Sequence, residues 1–217
     1  MKRSLSADEC AGCTGACCEN VLVPITGWDA WRIAKSSGLP LLAFSSIATT
    51  AFGSRGAFRL DEGFVTLVLR RSPTSPQACY FLTEAVAGIK RCATHPSRPH
   101  VCRTYPMRLV DATVVLRSDV VCLPSDWDLE RISQPLWRRD LEREAFEDDV
   151  HERVLAVWNA SDVQGLEVFA DFILGAFESV DAALSANEDA VSDTADRLAC
   201  VTRIANQRID EIRRRPR

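Results

Sequence analysis

Nine of the 217 residues are cysteines, and their spacing is where the chemistry of this sequence begins. Cys10-Ala11-Gly12-Cys13 forms a two-residue knuckle, and the vicinal pair Cys17-Cys18 follows three residues later. Such a turn suits a metal ion. Both thiolates can reach one ion while backbone N–H groups bond the sulfurs, and Gly12 and Gly15 permit the tight φ angles required. Adjacent side chains of an extended segment point apart. Cys17 and Cys18 are therefore expected to belong to two sites, or to divide into one ligand and one packed thiol. Cys79, Cys92, Cys102 and Cys122 follow with gaps of twelve, nine and nineteen residues, too long for a zinc ribbon. The fold, and not a local turn, must bring them to the N-terminal group. The candidate metal ligands are thus Cys10, Cys13, Cys17, Cys18, Cys79, Cys92, Cys102 and Cys122. Eight thiols fit two four-sulfur sites, or one such site beside four buried or regulatory thiols. All-thiolate tetrahedral ligation suits Zn2+ and an iron–sulfur cluster (4Fe-4S) alike. The order is not the C-x3-C-x2-C of radical enzymes that cleave S-adenosylmethionine. Cys200 stands alone beside Leu198 and Val201 and reads as a core thiol.

The remaining composition is that of an ordinary globular chain: 47% apolar, 26% charged, ten Gly, ten Pro and a formal charge of −4. It excludes collagen-like, low-complexity and wholly disordered classes. No apolar stretch follows the basic start, and no run approaches the roughly 18 apolar residues of a membrane helix. The expected compartment is a reducing cytoplasm, where clustered cysteines bind metal or do redox chemistry more often than they form disulfides. Residues 1–110 carry 13 basic against 7 acidic groups, a charge of +6, and residues 111–217 carry 13 against 23, a charge of −10. The basic excess reads as compensation for thiolates, so neither a nucleic-acid nor a membrane partner is expected.

The elements that must position these cysteines are short. A capping box at Thr26-Gly27-Trp28-Asp29 opens a helix that Gly38 and Pro40 close. A further short helix or turn is expected around Leu41–Ala51. Phe64–Leu69, Cys79–Leu82 and Thr113–Leu116 read as strands, with prolines punctuating the loops between them. After Pro124 the pattern turns helical. Ser125-Asp126-Trp127-Asp128 is a start signal, and a helix over 135–160 places Leu141, Ala145, Val150, Val154 and Trp158 at mostly four-residue spacing. A capping box at Ser161–Gln164 introduces a helix carrying Leu166, Phe169, Phe172, Ile173, Phe177 and Val180. A last helix spans 190–213.

The motifs also carry a resemblance. Cys10-x2-Cys13-x3-Cys17-Cys18, then Cys79-Tyr80-Phe81-Leu82, Cys92, Arg98-Pro99 and Cys102-Arg103-Thr104-Tyr105-Pro106, with Cys122 last, resemble the YkgJ-type cysteine-cluster family over residues 10–125. That family is described as zinc- or iron-chelating and shares its cluster with flagellin lysine N-methylases. The resemblance implies a metal-binding domain, favours iron–sulfur slightly over zinc, and offers protein lysine N-methylation as one activity. It supplies no catalytic residue. Where the family has an aliphatic–aromatic pair after Cys92, this chain has Thr94-His95.

The expected architecture is α+β. A cysteine-cluster metal-binding domain of short strands, loops and helices spans residues 8–125, and a helical region over 126–217 packs on it or serves as an interaction surface. The expected role is metal binding, as an accessory factor in protein modification with a protein substrate or partner. The alternatives are a protein lysine N-methylase and a zinc-stapled interaction module. Arg91, Arg98, Arg103 and Arg108 read as charge compensation and as donors to loop carbonyls, ahead of an anion site. His95 and His100 read as surface residues, and His151 as solvated on a helix whose acidic residues ring its circumference.

Overall fold

The computed structural model describes residues 15–61, 63–86, 89–121, 133–186 and 193–215. The chain falls into two compact units, one drawn from Met1–Val23 and Leu69–Ala145, the other from Pro24–Val68 and Phe146–Arg217. In chain order the elements are α1 (Ala16–Asn20), α2 (Gly27–Ser37), α3 (Leu41–Phe44), β1 (Ser45–Thr49), β2 (Phe58–Leu60), β3 (Gly63–Leu69), β4 (Arg71–Ser72), β5 (Ser75–Cys79), β6 (Leu82–Val86), β7 (Ile89–Cys92), α4 (His100–Thr104), β8 (Met107–Val110), β9 (Thr113–Leu116), α5 (Gln134–Ala160), α6 (Leu166–Ala186) and α7 (Thr194–Arg214). This mixture of helices and short antiparallel strands is α+β. Among the described residues no helix is long and apolar enough to cross a membrane.

The first unit is assembled from three small antiparallel hairpins, β4–β5, β6–β7 and β8–β9. The expected strand Cys79–Leu82 is instead a junction. β5 ends at Cys79, Tyr80 and Phe81 turn, and β6 begins at Leu82. Helix α1 packs on β5. Beneath β8–β9, Met107 and Val114 are buried against Leu141 of α5, with Trp137, Leu109 and Leu116 around them. Gln134 extends that hairpin like a short strand. Its side-chain oxygen accepts the Val114 N–H at 3.1 Å, and its nitrogen donates to the Val114 carbonyl at 3.2 Å.

The second unit holds the three-stranded sheet β1-β3-β2 and the helices that cover it. The capping box of α2 is present. Thr26 Oγ1 accepts the Asp29 N–H, the Asp29 carboxylate accepts the Thr26 N–H at 3.0 Å, and Gly38 ends the helix at φ 70°. The segment after Pro40 makes one turn, α3, and then becomes β1, so Leu41–Ala51 is part helix and part strand. The core is aromatic: Phe58 stacks on Phe169 at 3.7 Å, and Trp158 meets Phe169 edge-on at 5.0 Å. Trp158 still satisfies its indole N–H, on the Arg59 carbonyl at 2.8 Å. A Cβ at Gly27 would lie 2.0 Å from the Phe177 ring, so only glycine lets α2 start there.

Four helical expectations are corrected. Ala145 is exposed, because the buried face of α5 is not one stripe: Leu141 serves the first unit, and Val150, Val154 and Trp158 serve the second. Ser161 does not cap α6. Its hydroxyl closes the end of α5 on the Trp158 carbonyl, and α6 starts after Gly165 at φ 101°. His151 is not solvated but 4% exposed, accepting the Gly27 N–H on Nδ1 at 3.2 Å. The acidic residues around it do not simply ring the helix: Glu147 is buried and pairs with Arg32, and Glu152 accepts the Gly56 N–H at 2.6 Å. Asp193 caps α7 through the Ala195 N–H. The Ser125–Asp128 start signal lies outside the described residues.

Candidate metal centre

Of the eight predicted ligands, Cys17, Cys18, Cys79, Cys92 and Cys102 fall among the described residues. Cys10, Cys13 and Cys122 lie outside them. Each described thiol sits at the end or in the turn of a very short element, where local geometry aims it.

Gly15, at φ 76°, opens α1 at a conformation that disfavours a side chain, and the backbone then coils. Cys17 and Cys18 are therefore helical neighbours and not residues of an extended strand. Their sulfurs lie 3.9 Å apart, which corrects the expectation that they point away from each other. Bonds of about 2.3 Å to a tetrahedral zinc would place two thiolates about 3.8 Å apart. The pair thus has the spacing of two ligands on one ion. The two thiols share a hydrogen bond in which either sulfur can donate, and it lowers the Cys17 thiol to about 7, against the opposing effect of burial. Cys18 is pushed well up, first by holding that hydrogen bond, then by burial and by the charges of Cys17, Cys102 and Cys79. One proton shared by two sulfurs behaves this way.

Cys79 ends β5, buried at 7% exposure. The turn that follows directs the backbone N–H groups of Phe81 and Leu82 at its sulfur. A sulfur cradled by N–H groups two and three residues on is the local arrangement expected of a metal-binding turn, here at one of the eight candidate ligands. Burial raises this thiol, while those two N–H groups and the charge of Arg71 act the other way. Cys92 closes β7 opposite Leu82, and the Ala93 N–H returns to the Phe81 carbonyl at 2.8 Å, tying its strand to the Cys79 turn. Cys102 lies in α4, whose N–H groups at Cys102 and Arg103 both reach the Pro99 carbonyl. An ion pair between Lys90 and Glu19 joins β7 to α1.

Two of the four arginines are the donors to loop carbonyls that were expected. Arg98 donates to the His95 carbonyl at 3.2 Å and meets its ring, and Arg103 donates to the carbonyls of Arg98 and Pro96 at 3.1 and 2.6 Å. Arg91 and Arg108 are exposed. His100, expected at the surface, is 5% exposed, and His95 is half-buried against Arg98. Tyr105-Pro106 is a cis peptide, and the Tyr105 hydroxyl accepts the Val121 N–H at 2.6 Å. Cys200 is half-buried, not a core thiol, and its sulfur takes a 3.4 Å contact from Arg203. The residue that sequence reasoning missed is Arg71, the cross-strand partner of Cys79. Only pairing register reveals it.

Among the described residues, no three His, Cys, Asp or Glu side chains form a group that holds a metal ion. What they supply is one ready ligand pair and one N–H-cradled thiol. Both are thiolate donors of the kind zinc and iron take, so the donor set fits such a metal.

Fold and thiols together define a class, an α+β protein organised round a cysteine-rich region. Residues 9–123 match the family described as "CxxCxxCC: Putative zinc- or iron-chelating domain", and the chain belongs to that family. No curated protein and no solved structure matches it. The matched stretch contains α1 and the three hairpins, and also α2 and the β1-β3-β2 sheet of the second unit.

Proposed function

We propose that the protein is a thiolate metalloprotein in which Cys17 and Cys18 bind one and the same metal ion, with Cys10, Cys13, Cys79, Cys92, Cys102 and Cys122 completing its sites. The supporting observation is the 3.9 Å sulfur separation on α1. Each iron of a four-iron cluster takes one cysteine, so two thiols at this spacing favour a single zinc or iron ion. A two-iron cluster, in which each iron takes two cysteines, accommodates the same pair and is the second reading. A bound metal also answers the close approach of the half-buried Cys17 and Cys18 sulfurs, since its charge replaces their protons.

Beyond metal binding, the role we favour is that of an accessory factor in protein modification. A protein lysine N-methylase would need a seat for a methyl donor beside the cysteines.

Anaerobic purification followed by metal analysis and an absorption spectrum tests the reading. A colourless protein with one or two zinc ions per chain is the expected result. Visible absorption with two irons and two sulfides per site selects the second reading. Protein that binds neither metal after reduction and reconstitution would overturn both.

A further inference from the structure

Arginines surround the cysteines in the sequence, but the structure gives them different work. Arg98 and Arg103 bond the carbonyls of their own loop, and Arg91 and Arg108 are exposed. Arg71 is placed otherwise. It is paired directly with Cys79 across the β4–β5 hairpin. The Tyr80 N–H bonds the Arg70 carbonyl at 2.9 Å, which makes Arg71 and Cys79 a non-hydrogen-bonded pair. In such pairs the opposed residues approach most closely, about 4.5 Å between Cα atoms, and their side chains leave the same face of the hairpin. The register shift between Arg71 and Ser72 turns β4 away immediately afterwards, so Arg71 is the last residue of that strand in register with Cys79. Its guanidinium is held along β5 by an NH1 donation to the Gln77 carbonyl at 2.8 Å. Arg71 is half-buried, where a charge is screened less than at an open surface.

We propose that Arg71 is the positioning cation of Cys79, a guanidinium fixed on the neighbouring strand whose charge offsets that of the ligand sulfur when metal is bound. The assignment rests on the reading of Cys79 as a ligand. It adds a residue outside the cysteine motif and gives it a role: Arg71 sets how tightly the centre holds its metal without touching the ion. Groups that orient or compensate a ligand in this way commonly matter tenfold or more in affinity.

The test is Zn2+ affinity of the full chain, by competition with a chromogenic chelator, for the wild type and for Cys79→Ser, Arg71→Gln and Arg71→Lys. Circular dichroism of each metal-free protein serves as the check on folding. Arg71→Gln removes the charge but keeps a donor for the Gln77 carbonyl, and Arg71→Lys keeps the charge. The expected result is a loss of about tenfold or more for Cys79→Ser and about tenfold for Arg71→Gln, with Arg71→Lys within about threefold of wild type. If Cys79→Ser weakens binding and Arg71→Gln does not, the role of Arg71 is overturned while Cys79 stands as a ligand. If Cys79→Ser binds like wild type, Cys79 is no ligand, and the underlying reading falls with it. Equal losses for the Gln and Lys variants would show that the Gln77 clamp matters and the charge does not, which also overturns the proposal. Should Arg71→Gln fail to fold, Arg71→Met, which keeps the aliphatic stem, takes its place with the same expectation.

Discussion

The two units are stabilised by different means. In the second, side chains of the sheet and helices fill a common interior: Phe44, Phe58, Trp158, Phe169, Phe172 and Phe177 are all fully buried. Among the described residues, Met107 is the one member of the largest fully buried side chains that lies in the first unit. There the hairpins are short, and the apolar cluster of Met107, Val114 and Leu141 is small. Aromatic burial of the first kind supports a fold by itself, at about 25 cal/mol per Å2 removed from water. Three two-stranded hairpins do not, because an isolated hairpin is marginal in water and small cores need staples. Among the described residues, the candidate ligands Cys17, Cys18, Cys79, Cys92 and Cys102 lie in this unit, where the apolar core is thinnest. A metal site at that position would stabilise the fold as well as bind an ion.

The largest effect that would break this contrast is metal removal. Thiolate-bound metal contributes on the order of 10 kcal/mol to the folding of small domains, comparable to the whole marginal stability of a typical protein. Chelation under reducing conditions is expected to abolish amide-exchange protection in β4–β9 and leave it in α6 and the Val150–Trp158 part of α5. Hydrogen exchange read by mass spectrometry separates these regions directly. Uniform loss, or no loss in β4–β9, would mean that the two units are not stabilised separately.

The converse perturbation is smaller. Trp158 is fully buried, contacts Phe169 and Phe172, and donates to the Arg59 carbonyl. Trp158→Ala should cost about 3–5 kcal/mol through the cavity it leaves, together with an orphaned Arg59 carbonyl. A denaturant melt followed by Phe and Trp signals measures that loss. Metal content per chain should stay at the wild-type value wherever the variant is folded. A variant that loses metal in proportion to stability would remove the distinction drawn between the units.

How much of this was visible in the chain depends on how far each signal reaches. The capping box at Thr26–Asp29, the strand at Phe64–Leu69 and the helical pattern over 135–160 are local patterns, and they place those elements within a residue or two. The cysteine motif is also local, and it supports the family directly. What the linear pattern does not contain is pairing. Arg71 gains meaning only from its register with Cys79. Cys17 and Cys18 look divergent until α1 is known to coil. Ala145 fits a four-residue spacing, yet the helix turns one buried face to each of two units and Ala145 belongs to neither. His151 reads as solvated because Glu147, Asp148, Asp149 and Glu152 flank it. The partners of those carboxylates, namely Arg32, Arg55 and the Gly56 N–H, lie about a hundred residues earlier.

His151 supplies the smallest and most selective probe of the second unit. Its ring is buried and tilted against Phe177 at 6.1 Å, and its Nδ1 accepts the Gly27 N–H, which leaves the proton on Nε2. Burial first, and then the charge of Arg55, lowers its pKa from 6.5 to about 3. Buried Glu147 and half-buried Glu152 lie one turn before it and beside it, engaged with Arg32 and the Gly56 N–H. Because the folded value is depressed, the unfolded chain binds this proton more readily. The stability linked to His151 is complete above about pH 6.5 and is lost progressively as the pH falls toward 3. Between pH 7 and pH 5 the loss is about 2 kcal/mol. His151→Asn places a neutral carboxamide oxygen where Nδ1 accepts the Gly27 N–H. It should lower stability at pH 7 but flatten the decline between pH 7 and 5, in denaturant melts that follow the second unit. An unchanged slope in the variant would mean that other groups carry the acid sensitivity. His151 would then be a packing residue whose proton is not linked to folding.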